Sequence, residues 1–266
     1  MFGDGGRPLS RRRVIAGLGS VAGMGSLRSS PYEDRDGDGI PDDLERSEAY
    51  HDYIEGIFGS EQFDGLEPDR PDLLIDARYV GSSTIDDRTK YYLEEQFREH
   101  GIHLQWLDYP KQYDHERFDE RYGNRVERVL WPIRSFYSEE VEDILQDIAL
   151  QVIVVPQIRR PLESLYTVHQ GGSFEGVSFG NRSLVLEQES LEQETILVMH
   201  EIGHLVLCHT PDPRSVMSQS PQQAEFLPDE WDAMRGNLDN IRDATGFDVT
   251  MRRCLIDEYL EQVEDL

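Results

Sequence analysis

The chain of 266 residues is long enough to bury a substantial core, as one domain with an appendage or as two small domains. Asp and Glu total 53 against 26 Lys and Arg, a net charge of −27, and the only lysines are Lys90 and Lys111. So acidic a surface repels the phosphates of nucleic acids and anionic membrane surfaces, which excludes both as expected partners. It suits a halophilic setting, in which carboxylates hold water and dissolved salt screens their repulsion. No stretch approaches the ~18 apolar residues of a membrane-spanning helix, so no membrane insertion is expected.

Residues 1–30 open the chain order. Ser10-Arg11-Arg12-Arg13-Val14-Ile15 precedes a Gly/Ala-rich apolar stretch reaching Leu27 without an acidic residue. This resembles a twin-arginine export signal, which implies a secreted, extracellular protein. Residues 31–69 follow as a calcium-binding loop and connector. The run DRDGDGIPDDLE, Asp34 to Glu45, fits a twelve-residue calcium loop at every position. Asp34, Asp36 and Asp38 stand at positions one, three and five, Gly39 at six, the Ile40 carbonyl at seven, Asp42 at nine and Glu45 at twelve. Calcium is a hard cation that takes six to eight oxygens, and the glycine permits the bend on which alternate side chains converge. The run resembles the loops of dockerin and thrombospondin type 3 modules. A short helix is expected over Leu44 to Phe58, within the connector.

Residues 70–266 read as a catalytic domain of α/β (α+β) class. Strands are expected over Leu73 to Val80, Ile102 to Leu107 and Leu150 to Val155, with helices over Asp86 to His100 and Ser138 to Asp147. Strand and helix in alternation argue for a mixed, partly parallel sheet. Tyr166 to Leu186 is glycine-rich and suggests a bent strand or loose hairpin at a sheet edge, ending in the strand Ser183 to Leu186. Such an edge can add an extended peptide as a further strand.

Ser190 to Leu207 reads as a helix, capped by Ser190, and His200 and His204 stand one turn apart on it. Two imidazoles at that spacing grip one zinc ion, and Glu201 beside the first is placed to take a proton from zinc-bound water. A third ligand is needed. In an unbroken helix Cys208 lies about 12 Å along the axis from His200, too far to share the ion. Pro211 and Pro213 end the helix, and the returning chain carries His209, the first candidate. Asp212 on the same return, and Glu225, which would make a His-His-Glu site, are the alternatives. Cys208 and Cys254, the only cysteines, are either bridged or two buried thiols.

HEIGH, the nearby His209 and Ser215-Val216-Met217-Ser218 together resemble the metzincin zinc proteases, in which a third histidine and a methionine-containing turn follow H-E-x-x-H. The archaemetzincins resemble this stretch most: His209, Thr210, four residues, Ser215, Val216 and Met217 keep their spacing, with Thr and Ser where that family has cysteines. The resemblance implies a twisted mixed sheet with an active-site helix and a C-terminal helix, Met217 as a floor beneath the zinc, and no cysteine-bound second zinc. It departs in two places: Leu207 stands where the family has glycine, and His209 comes one residue early. Pro228 to Ile241 is expected to form the C-terminal helix. The sequence thus points to an exported zinc endopeptidase that acts as a monomer on peptide or protein substrates, with Zn2+ and Ca2+ as its ions. The alternative from another class is a non-catalytic extracellular binding protein stabilised by calcium and zinc.

Overall fold

A computed structural model describes residues 33–123, 136–156, 176–179 and 181–239. The expected export signal, residues 166–175 of the expected hairpin, Ile241 and Cys254 lie outside the described residues. From Asp34 onward the described residues belong to one compact unit. Its elements are α1 (Asp42–Glu45), α2 (Glu48–Phe58), β1 (Asp72–Tyr79), α3 (Asp87–Glu99), β2 (His103–Asp108), α4 (His115–Phe118), α5 (Asp143–Ile148), β3 (Ala149–Val155), β4 (Gly176–Phe179), β5 (Arg182–Leu186), α6 (Leu191–Gly203) and α7 (Pro228–Arg235). Among the described residues no helix is long and apolar enough to cross a membrane.

The sheet runs β2-β1-β3-β5-β4. The first three pairings are parallel, and β4 closes the order antiparallel to β5, so the sheet is mixed and the α/β class expected from the sequence stands. β3 is buried along its whole length, as a central strand with both faces covered must be. Alternation on β1 splits the core in two. Leu73, Ile75 and Ala77 join Leu93 and Phe97 of α3 and Val198, Met199 and Ile202 of α6. Leu74 on the opposite face joins Ile54 and Phe58 of α2 and Leu145 and Ile148 of α5. Each such aliphatic side chain contributes about 1.5–3 kcal/mol by leaving water.

Four expected helices change at their bounds. The helix over Leu44 to Phe58 is two, with Ser47 as the N-cap of the second. The helix over Ser138 to Asp147 is interrupted: residues 136–140 are helical, and α5 starts anew after Glu142, whose carboxylate and the nearby Glu140 carbonyl both bind Arg78. α7 ends at Arg235, where Gly236 follows, short of Ile241. α6 ends at Gly203 and not at Leu207.

Candidate metal centre

α6 begins where expected, with Ser190 Oγ accepting the Gln193 N–H at 3.2 Å. Its end explains the early third histidine. Leu205 and Val206 donate to Ile202 and Gly203 carbonyls at 3.0 and 3.1 Å, three residues back, so the last turn tightens to 3₁₀ geometry. Leu207 N–H also returns to the Gly203 carbonyl, four residues back, at 2.8 Å, and beyond it the chain turns away from the helix. Thr210 N–H then donates to the Met217 carbonyl at 3.0 Å, fixing the return.

This return brings the three histidines together. His204 Nε2 and His209 Nε2 lie 3.1 and 3.3 Å from His200 Nε2. Nitrogens bound tetrahedrally to zinc at about 2.0–2.1 Å are about 3.3–3.4 Å apart, so the donor set fits that ion. His200 Nδ1–H donates to the Val216 carbonyl at 2.7 Å and His204 Nδ1–H to the Leu207 carbonyl at 3.2 Å. Both tautomers are thereby set with the Nε2 lone pair free for a metal. Burial pushes His200 down to about 4 and His204 well below its ordinary value, so both are neutral and able to ligate.

Neither alternative ligand joins them. The Asp212 carboxylate binds Arg214 at 2.6 Å and is held down to about 2 by hydrogen bonds from that side chain and its backbone. Glu225 is exposed, and its carbonyl accepts the Val216 N–H at 2.8 Å. Cys208 is disulfide-bonded, which removes the reading of two free thiols.

Glu201 is 3% exposed. Ser178 on β4 donates its Oγ–H to Glu201 Oε2, and an added Cβ on Gly176 would overlap Glu201 Oε1. Burial pushes the Glu201 carboxyl up to about 8, with the Ser178 hydrogen bond acting in the opposite direction. Met217 is fully buried. A Cβ on Gly203 would overlap its Sδ and lie 2.8 Å from Phe226 Cε1, so the glycine inside HEIGH lets Met217 and Phe226 pack against the helix. α7 secures this turn. Glu230 accepts from Ser215 Oγ at 2.7 and 2.8 Å and from the Leu227 N–H at 2.7 Å, while Ser215 Oγ accepts the Met217 N–H at 2.8 Å. Ser215 therefore does its work by hydrogen bonding.

A second cluster lies at the acidic loop. Carboxylate oxygens of Asp34, Asp36 and Asp38 lie within 4.8 Å of one another, as do those of Asp38, Glu45 and Asp72. Asp34 accepts Gly37 and Gly39 N–H groups at 2.8 and 3.1 Å, and Asp38 Oδ1 accepts the Ile40 N–H at 2.7 Å. Gly39 has φ +89°, the left-handed bend the motif requires. Burial first, then mutual repulsion, pushes Asp36 up to about 6 and Asp38 and Glu45 to about 8. An all-oxygen, densely negative set of this kind fits a hard cation. Asp42 stands apart from both clusters: its carboxylate binds Arg35 Nε at 2.7 Å and Arg46 Nη2 at 2.9 Å. Asp72, from β1, is the member that motif spacing could not reveal.

No protein-family model matches the sequence, and no curated protein matches it. Among solved structures the chain is similar to the crystal structure of archaemetzincin from Methanopyrus kandleri, with 15% sequence identity and a TM-score of 0.42, over 63% of this chain and 94% of that one.

Proposed function

We propose that the protein is an exported zinc endopeptidase of metzincin type. The observation that carries this is the convergence of three imidazoles, two of them neutral and oriented by backbone carbonyls, on a helix that also carries a buried glutamate. His200, His204 and His209 would hold the zinc, which when bound would polarise the scissile carbonyl and acidify water. Glu201 accepts a proton from the attacking water at its carboxylate and passes it to the departing amine. Among the described residues β4 ends the sheet order, and its backbone would offer an edge on which an extended substrate lies as an added strand. Met217 forms the floor and keeps the histidines in register. The twin-arginine segment directs the chain outside the cell, and the disulfide at Cys208 agrees with an oxidising compartment. The acidic loop binds calcium.

The deciding experiment compares metal content and casein turnover in high salt for wild type and Glu201→Ala. Zinc retained with turnover lost by about 100-fold or more in the variant supports the reading. Zinc bound by a wild type without turnover sinks it. That second outcome belongs to a non-catalytic binding protein, a reading favoured by the burial of Glu201 beneath β4.

Ser178 gives a finer check. Its hydroxyl lowers the Glu201 pKa, so Ser178→Ala lets that pKa rise and a larger share of Glu201 is protonated at a given pH. The acidic limb of kcat/KM is expected to move to higher pH, with turnover at neutral pH down about tenfold, the worth of a hydrogen bond to a charged group. An unmoved limb in a pH–rate profile would remove Ser178 from the mechanism.

A further inference from the structure

Glu45, at the last position of the acidic loop, meets a buried carboxylate from outside the motif, Asp72. Glu45 is 1% exposed, and neither of its carboxylate oxygens has a hydrogen-bond partner. A buried, unpartnered carboxylate costs several kcal/mol unless a cation meets it. The group it faces comprises Asp38 and Asp72. Asp72 is the first residue of β1 and is also 1% exposed. Its N–H donates to Asp38 Oδ2 at 2.9 Å, which joins loop and strand before any ion is considered.

We propose that Asp72 is a calcium ligand supplied from the sheet, so that the ion clamps the loop 34–45 onto β1. The proposal rests on the calcium reading of the loop and adds to it a ligand from outside the motif. Asp72 is prepared for the role. Its Oδ1 is held by His103 Nδ1 at 2.6 Å, Arg70 Nη2 at 3.2 Å and Gln105 Nε2 at 3.3 Å. Its Oδ2 accepts the Glu67 N–H at 3.3 Å, which leaves a second lone pair on that oxygen. Outer partners of this kind orient a ligating carboxylate. Asp42, which the motif places at the ninth position, turns its carboxylate to Arg35 and Arg46 and joins neither group of carboxylates, whereas Asp72 joins Asp38 and Glu45. Asp38 belongs to both groups of carboxylates and links Asp34 and Asp36 to Glu45 and Asp72, and a set so rich in carboxylates suits calcium's high coordination number better than magnesium's water-retaining octahedron.

The test uses the full, zinc-loaded and calcium-free protein titrated with CaCl2, followed by calorimetry and thermal unfolding. Wild type is expected to bind calcium and gain thermal stability. Asp72→Asn is expected to bind it roughly tenfold more weakly or worse, with a smaller calcium-induced rise in Tm. Asp69→Asn, which removes an equal charge from an exposed neighbouring site, is expected to match wild type. If wild type binds calcium and Asp72→Asn binds it equally well, the clamp is overturned and the loop reading stands. If wild type binds no calcium, the loop reading itself fails and the clamp with it. Hydrogen exchange on wild type gives a readout independent of any variant: calcium is expected to slow exchange at the Asp72 amide as well as within 34–45. Protection confined to the loop overturns the clamp.

Discussion

Replacing His209 by alanine is expected to release zinc, raising its Kd by more than about 100-fold, because changes to outer partners alone cost about 10–100-fold and this change removes a ligand. The effect is large because the described return offers no substitute. Asp212 is committed to Arg214, and Glu225 is exposed and outside the histidine group. Glu225→Gln and Asp212→Asn are therefore expected to keep zinc affinity within about threefold of wild type, since Glu225 meets Val216, the outer partner of His200, through its backbone carbonyl, which the substitution keeps, and Asp212 binds Arg214. Competition with a chromophoric chelator measures all three variants, with circular dichroism to establish that each is folded. Zinc kept by His209→Ala and lost by Glu225→Gln would replace the three-histidine site with a His-His-Glu site.

The histidine pair and the strand–helix alternation were legible because each rests on local periodicity. Residues four apart on a helix share a face, and an apolar run such as Ala149–Val155 announces a central strand wherever it occurs. His209 was legible only as a candidate. Its arrival depends on how the chain turns after Gly203 and returns to Met217, which neither Leu207 nor the prolines encode by type. The supporting residues were illegible for a different reason: each acts across a long sequence separation. Ser178 reaches Glu201 from the edge strand, Glu230 reaches Ser215 from α7, and Asp72 reaches Glu45 from β1. Gly203 did carry a signal. A glycine inside the helix expected over Ser190 to Leu207 costs about 1 kcal/mol relative to alanine, and close approach by another segment is the usual return. Asp42 shows the opposite case: a residue in perfect motif register, drawn away by two arginines that the motif ignores.

Removing the buried guanidinium of Arg78 is expected to be the most destabilising single change in the sheet. Arg78 and Asp76 are two residues apart on β1, hence on one face, and both are fully buried. The guanidinium binds Asp76 through Nε at 3.0 Å and Nη2 at 2.8 Å, and Glu142 through Nη2 at 2.6 Å. Its Nη1 donates to the Glu140 carbonyl at 2.7 Å and to Tyr113 Oη at 3.1 Å, and its Cζ lies 3.8 Å over the Tyr109 ring. One side chain thus fastens β1 to the segment that leads into α5. Arg78→Met keeps much of the volume but leaves Asp76 uncompensated, which is expected to cost about 3–5 kcal/mol. The cost has a pH dependence of definite sign. Burial already pushes Asp76 up to about 6 despite Arg78, so in the folded state it holds its proton more tightly than in the unfolded chain. Its contribution is most favourable below the ordinary carboxylate pKa and is lost as pH rises through about 6. Without Arg78 the folded pKa rises further and the loss extends upward. Urea unfolding should therefore find the variant's deficit larger at pH 8 than at pH 5, and Asp76→Asn combined with Arg78→Met should recover part of it at pH 8. A deficit equal at both pH values would mean that the guanidinium acts through packing on Tyr109 and its hydrogen bonds to Glu140 and Tyr113, and not through the charge of Asp76.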